Sequence, residues 1–294
     1  MTSSAAPSPW TDRWLRLLAR LPLGWLRAAG AAFGWVLWAL AHKRRQVVTR
    51  NLALCFPERS ASDRRRLGRE VFVRFGQAFV DRVWLWHGSD AQRQRRLQLR
   101  GDLSVVRQPG PVLVFAPHFV GLDAAWTALA SRIDRDWMTL YAPQIKPALD
   151  RWVRQGRQRL GRVRLVARRE GIRPLVKGLR EGAALYLLPD MDLGARNAVF
   201  VPFFGHPTAT VTSLPRLADL ASAPVVPVLA RMTAQGYQIE VLPAWADYPS
   251  GDDATDAATM NAHLEAFIHT MPGQYHWLHR RFKTRPPGES SLYR

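Results

Sequence analysis

Cysteine is almost missing: Cys55 is the only one in 294 residues. A single thiol closes no intrachain disulfide, so disulfide-stapled secreted scaffolds are excluded and a reducing compartment is the default. Nor do Cys and His fall at zinc-site spacing. Lysine is scarce too, with Lys43, Lys146, Lys177 and Lys283 the only four among 42 basic residues. The positive charge is therefore mostly guanidinium, whose planar fork pairs phosphate or carboxylate through two hydrogen bonds at once. Acid is in deficit, with 23 Asp+Glu and a formal net charge of +19. There is no internal repeat and no low-complexity tract, which excludes a solenoid. No Gly-x-Ser-x-Gly elbow is present to suggest a covalent acyl-serine. A hydrophobic content of 47% excludes a disordered basic tail and leaves ample material for a core.

The surplus charge is unevenly spread. Residues 1–100 hold 19 basic and 6 acidic residues, residues 101–200 hold 16 and 9, and residues 201–294 hold 7 and 8. The N-terminal two-thirds should thus face something anionic: a membrane surface, nucleic acid, or an acidic protein or ligand. No helix-turn-helix spacing, zinc finger or aromatic-basic RNA motif accompanies the charge, so nucleic acid is not assigned as a partner. Between Leu21 and Ala41 the only charge is Arg27, and His42-Lys43-Arg44-Arg45 follows directly. A stretch of about 20 apolar residues spans a bilayer core. An amphipathic anchor lying in the interface fits as well, and a buried core helix is the plainer alternative. A cleaved signal peptide fits poorly, because no compact n-region or small-residue cleavage site is present. The basic cluster after the segment favours a cytoplasmic location for the rest of the chain.

Residues 44–100 read as helical, with Val71, Phe72, Phe75, Phe79, Val80, Val83 and Trp84 at spacings of three and four opposite Arg-rich faces. From residue 111 the pattern changes to short apolar runs. Strands are expected at 112–116, 137–142, 163–166, 184–188, 198–203, 225–231 and 237–242. Helices are expected near 124–130, 147–160, 171–181, 210–221 and 255–270. Such alternation predicts an α/β fold: a central mixed, mostly parallel sheet flanked by helices, preceded by a membrane-associated helical segment. The expected division is an anchor over 1–45, a catalytic-looking domain over 46–283 and a frayed tail over 284–294.

His118 stands immediately after the first strand, where open α/β sheets place ligand chemistry. Asp123 lies five residues on, at the start of the next helix. A carboxylate bound to one ring nitrogen fixes the tautomer and frees the other nitrogen to act as a base. The plainer reading is a loop histidine followed by an N-cap aspartate. Asp190 and Asp192 flank Met191 at a strand end. No third carboxylate is near, so no metal or cofactor is assigned, and the pair is read as orienting Arg169 or the active-site loop, with ordinary turn chemistry as the alternative. The stretch 146–180 carries 12 basic residues against Asp150 and Glu170. Within it Arg168, Arg169 and Arg173 are candidates for docking an anionic substrate, against the alternative of a solvated face. His206, His263, His269, His276 and His279 are read as surface or helix-cap residues. Val199–Phe204 is apolar enough to line an acyl pocket or to be a core strand.

These segments together resemble the lipid A biosynthesis acyltransferases (the lauroyl/myristoyl transferase family), relatives of the glycerolipid acyltransferases. The His-x4-Asp box is matched by His118 and Asp123. Arg50-Asn-Leu-Ala-Leu-Cys-Phe-Pro-Glu58 matches the signature after the anchor, and Arg169 the second, basic block. Pro189-Asp190-Met191-Asp192 with Val199–Gly205 matches the third block, and Pro224–Pro227 the fourth. The resemblance runs from about Trp14 to Arg281. Where many members carry Glu this chain has Asp123, which keeps the carboxylate. The resemblance implies transfer of a fatty acyl chain from acyl carrier protein to a hydroxyl of an anionic lipid A precursor. It implies His118 as general base oriented by Asp123, and a place on the cytoplasmic face of the inner membrane. Another membrane glycolipid, an ornithine-type lipid or a lysophospholipid is the alternative acceptor. A non-enzymatic basic membrane- or nucleic-acid-binding protein is the reading from a different class.

Overall fold

A computed structural model describes residues 9–293. The first eight residues of the expected anchor, and Arg294, lie outside it. Helices α1 (Pro9–Ala19), α2 (Leu23–Leu40), α3 (His42–Cys55), α4 (Ala61–His87) and α5 (Asp90–Arg96) lead into strand β1 (Leu97–Gly101). Next come α6 (Ser104–Arg107), β2 (Val112–Phe115), α7 (Leu122–Arg132), β3 (Asp136–Tyr141), α8 (Pro147–Arg157), β4 (Arg162–Ala167), α9 (Arg173–Arg180) and β5 (Ala184–Leu187). The chain ends through β6 (Ala198–Phe203), β7 (His206–Val211), α10 (Ser213–Ala221), β8 (Val225–Thr233), β9 (Gly236–Val241) and α11 (Asp253–Thr270).

The seven-stranded sheet runs β1-β9-β8-β2-β5-β3-β4. Only the β8–β9 contact is antiparallel; the other pairs are parallel. This is the mixed, mostly parallel sheet expected from the alternation. The central strands β2 and β5 are buried along their whole length, which is why they read as unbroken apolar runs. Two apolar cores cover the two faces. One contains Leu113, Phe115, Leu185 and Leu187; the other contains Val112, Val114, Ala184 and Tyr186. Alternate residues of one strand thus enter opposite cores, as the pleat requires.

Val199–Phe204 joins neither face of the main sheet. β6 pairs with β7 in a separate antiparallel hairpin, turning through Phe204 and Gly205, both at positive φ. Two successive positive φ values give the twist a two-residue hairpin needs. Residues 206–211, expected partly in a helix, form its second strand, and α10 starts only at Ser213.

The apolar helix α2 lies along α4. It buries Leu26, Arg27, Gly30 and Gly34 and exposes Trp25, Phe33, Trp35, Val36 and Leu40. Arg27, the one charge in the segment, is satisfied: it donates to Asp81 at 3.0 Å and to the Gly236 carbonyl at 2.9 Å. Asp81 also accepts from Trp84 Nε1 and the Tyr237 hydroxyl, each at 2.8 Å. A buried ion pair so surrounded is fastened rather than stranded.

The tail expected to fray is tied down. Thr284 donates its backbone N–H and hydroxyl to Asp192 at 2.6 and 2.8 Å. Arg50 donates to the Leu292 carbonyl at 2.6 Å, and the Tyr293 hydroxyl to Asn51 at 2.5 Å. The Pro, Gly and Ser content suggested looseness; the anchoring partners lie far away in sequence and could not be read locally.

Candidate active site

Phe115, the last residue of β2, is in register with Leu187, the last of β5. Three residues beyond each stand His118 and Asp190, on neighbouring strands at the carboxyl edge of the sheet. The Asp190 carboxylate accepts from His118 Nδ1 at 2.7 Å and from the His118 backbone N–H at 3.0 Å. The Tyr275 hydroxyl donates to it at 3.0 Å. Burial pushes the carboxyl up, but the imidazole's charge and both His118 hydrogen bonds outweigh it and hold Asp190 down at about 2. An ionised carboxylate on Nδ1 places the ring proton there and leaves the Nε2 lone pair available.

The loop carrying His118 is clamped from behind. Val120 N–H donates to the Gln274 carbonyl, and His276 N–H to the His118 carbonyl. Asn51, buried on α3, donates from one amide nitrogen to the Trp277 and His279 carbonyls, both at 2.8 Å. Arg281 donates to the Ala209 carbonyl, Thr210 and Asn261, with its guanidinium over the Phe203 ring. These contacts close around a tight crevice, without space for a water molecule, lined by His118, Asp190, Tyr275, His276 and His279.

Asp123 does not orient His118. Its carboxylate is buried and accepts from Arg82 Nε and Arg157 Nε, each at 2.8 Å, and no hydrogen bond joins it to the imidazole. Burial raises the carboxyl, and the two guanidiniums more than reverse this, so the group stays below its ordinary value. Four residues after His118, α7 has begun, and its first turn carries Asp123 toward α4 and α8 instead. Two arginines on one carboxylate leave this cluster with a net positive charge.

Asp192 does not join Arg169 either. Its oxygens are taken by Thr284 and by the Gly194 N–H. Arg168 and Arg169 lie exposed on a single 3-10 turn after β4, two strands beyond β5, and Arg173 is exposed at the start of α9. Of the expectation that Asp190 and Asp192 orient Arg169 or the active-site loop, the Arg169 half is corrected: Asp190 holds the His118 imidazole and its loop, and Asp192 holds the C-terminal segment. Asp190, Asp192 and the exposed arginines do share the carboxyl edge. Phe200 and its neighbours do not line the His118 cavity. Two histidines read as surface residues belong beside it: the His276 ring lies 6.2 Å from that of His118, and His279 Nε2 accepts from the Asp192 N–H at 3.0 Å. Burial, with the His118 imidazole next in effect, pushes His276 down to about 3; burial carries His279 down to about 4.

The family model of bacterial lipid A biosynthesis acyltransferases matches residues 3–284. The chain belongs to that family. It is 33% identical to the lipid A biosynthesis lauroyltransferase of Escherichia coli (strain K12) over 285 residues, covering 95% of this chain and 92% of that protein. It is 33% identical to the myristoyltransferase of the same organism, covering 86% and 78%. With the palmitoleoyltransferase it shares 32%, covering 95% and 92%. The crystal structure of the 1-acyl-sn-glycerophosphate acyltransferase of Thermotoga maritima aligns with a TM-score of 0.37 and 10% identity over 90% of this chain and 98% of that one, too distant to bear on fold or function. As a family member the chain is an acyltransferase of lipid A biosynthesis. The signature around Arg50–Glu58 gains a physical role here, since Asn51 fastens the loop behind the imidazole. The residues the sequence did not single out, Arg82 and Tyr275, come from α4 and the C-terminal segment; only their distance from the His box hid them.

Proposed function

We propose that this family member transfers a fatty acyl chain from acyl carrier protein to a hydroxyl of a lipid A precursor, with His118 as general base. The hydrogen-bonded His118–Asp190 pair at the ends of β2 and β5 carries the reading. His118 Nε2 takes the acceptor hydroxyl's proton, and the oxygen attacks the thioester carbonyl. The tetrahedral oxyanion collapses, the carbon–sulfur bond breaks, and the thiolate leaves to be protonated from the imidazolium. Asp190 stabilises that imidazolium without itself taking the proton. The Arg82–Asp123–Arg157 cluster pins the start of α7 and with it the loop that carries His118. Arg168, Arg169 and Arg173 extend a basic rim along the same sheet edge, suited to an acidic carrier protein. The exposed apolar side of α1 and α2, including Trp14, Leu17, Trp25, Trp35 and Leu40, supports attachment to the inner membrane, and the His42–Arg45 basic cluster after α2 supports a cytoplasmic sheet domain. Fastening of α2 along α4 favours an interfacial anchor over a lone span.

The test is transfer of labelled acyl groups from acyl carrier protein to a lipid A precursor by the purified chain. His118→Ala should lower kcat by roughly 10²–10⁴-fold without loss of fold. Unchanged turnover would remove His118 from the reaction. Mass spectrometry of lipid A from cells lacking the chain should show one missing acyl group.

A further inference from the structure

A groove of about 640 Å³ adjoins the His118 cavity. It is lined by the end of α2, by α3, by the first turn of α4 and by the C-terminal segment. Six of its lining residues are cationic: Lys43, Arg45, Arg50, Arg64, Arg65 and Arg280. None is acidic, and no carboxylate lies within ion-pair distance of any of the six among the described residues. Arg45, Arg50 and Arg64 are held in place by backbone carbonyls, of Trp38, Leu292 and the Phe56–Arg59 turn respectively. Those bonds fix direction without cancelling charge. Lys43 and Arg65 are exposed and make no hydrogen bond or ion pair among the described residues. Six like charges in one concavity repel each other, and a bound anion relieves that repulsion. The volume lies within the range of small-ligand sites.

Two features identify the anion. The groove opens where α2 ends: Trp38 lines it, with the Arg45 guanidinium 5.6 Å above its ring, while Trp35 and Leu40 of the same helix stay exposed. A ligand there meets apolar surface on one side and guanidinium on the other, the division between acyl chain and headgroup. Groove and catalytic cavity adjoin through α3 and the C-terminal segment. Asn51 lines the cavity, its neighbour Arg50 lines the groove, and the Tyr293 hydroxyl in the groove donates to Asn51 at 2.5 Å.

We propose that this groove binds the phosphate-bearing headgroup of the lipid acceptor, holding it next to the His118 cavity. The assignment of the acceptor rests on the acyl-transfer reading; the binding of a lipid phosphate does not.

Native mass spectrometry of the full chain in detergent separates the two. Offered dioleoyl phosphatidic acid or dioleoyl phosphatidylcholine, the wild type should retain the phosphate monoester about tenfold better. Lys43→Gln/Arg65→Gln should abolish that preference at unchanged melting temperature, whereas Arg100→Gln/Arg107→Gln, an equal charge loss away from the groove, should keep it. Equal preference in wild type and groove variant overturns the proposal, as does equal loss in both variants. Loss of acyl carrier protein binding with lipid preference intact overturns it in favour of a protein partner. In the transfer assay the groove variant should raise the acceptor KM about tenfold with kcat held, and a dephosphorylated acceptor should show no such difference. No transfer by the wild type, with lipid preference still mapped to the groove, sinks the acyl-transfer reading alone. Normal transfer with unchanged KM in the groove variant sinks the groove alone.

Discussion

Asp190 binds three donors with two oxygens, so replacing it tests geometry more than charge. In Asp190→Asn an amide can offer its own N–H to Nδ1, moving the ring proton to Nε2. That tautomer cannot accept a proton, and kcat should fall by roughly 10²–10⁴-fold with KM little changed. Asp123 belongs to a different unit. Its substitution with Asn leaves Arg82 and Arg157 facing each other, and removing one partner of a buried pair costs about 3 kcal/mol. A double-mutant cycle should therefore show strong coupling of Asp123 to Arg157 and near-additivity with His118; coupling to His118 instead would restore the His-x4-Asp contact that the sequence suggested. The depressed histidines set an acid limit. The unfolded chain protonates His276 and His279 near their ordinary value of about 6.5, whereas the folded protein does so only near 3 and 4. Between those limits the unfolded state holds more protons, so stability falls as pH falls. Thermal midpoints should decline from about pH 6.5 downward, and His276→Gln should flatten that decline; an identical pH profile would show that His276 is not kept neutral. At this scale the sequence showed the right residue types but the wrong partners. His118, Asp123 and Asp190 were all visible, yet which carboxylate meets the imidazole depends on β2 lying beside β5, 72 residues apart at the contact itself.

The elements were more legible, because each strand's own composition reports its burial. β2 and β5 are apolar throughout and bounded by Gly, Pro or Asp, and both fell where expected. β1 was absorbed into the preceding helix: Leu97-Gln-Leu-Arg-Gly101 alternates and exposes Gln98, and only its partner β9, far along the chain, makes it a strand. β7, His206-Pro-Thr-Ala-Thr-Val211, is short on large apolar residues and depends on its hairpin with β6. The apolar run of α2 is visible in the sequence, but not how it packs on α4, which rests on glycine. A Cβ added at Gly30 would lie 2.6 Å from Gln77 Cα, and one at Gly34 would lie 2.7 Å from Val73 Cα. Both neighbours are backbone of α4 and cannot swing aside. Gly34→Ala should push α2 off α4, costing about 1–3 kcal/mol and lowering the melting temperature, while Gly24→Ala, with open space around it, should change little. Equal effects at both glycines would argue against the close helix crossing.

Across the whole molecule, two attractions of different range meet on one side. Arg-rich surface dominates the first 200 residues, and its pull on an anionic bilayer weakens over a Debye length of about 10 Å at 0.1 M salt. The apolar face of α2 is short-ranged and insensitive to salt: Trp25 is 71% exposed, Trp35 50% and Leu40 78%. None of these three belongs to the buried set Leu26, Arg27, Gly30 and Gly34, so changing them leaves the α4 contact intact. If both attractions hold the protein to a membrane, salt alone should loosen it without releasing it. Each large side chain withdrawn from the bilayer gives up about 2 kcal/mol, so Trp25→Ser/Trp35→Ser/Leu40→Ser should float with anionic vesicles at low salt and dissociate at high salt. The wild type should stay bound at both. Retention of the triple variant at high salt would mean that another surface carries the attachment, and α2 would then be an interior helix with an incidental apolar face.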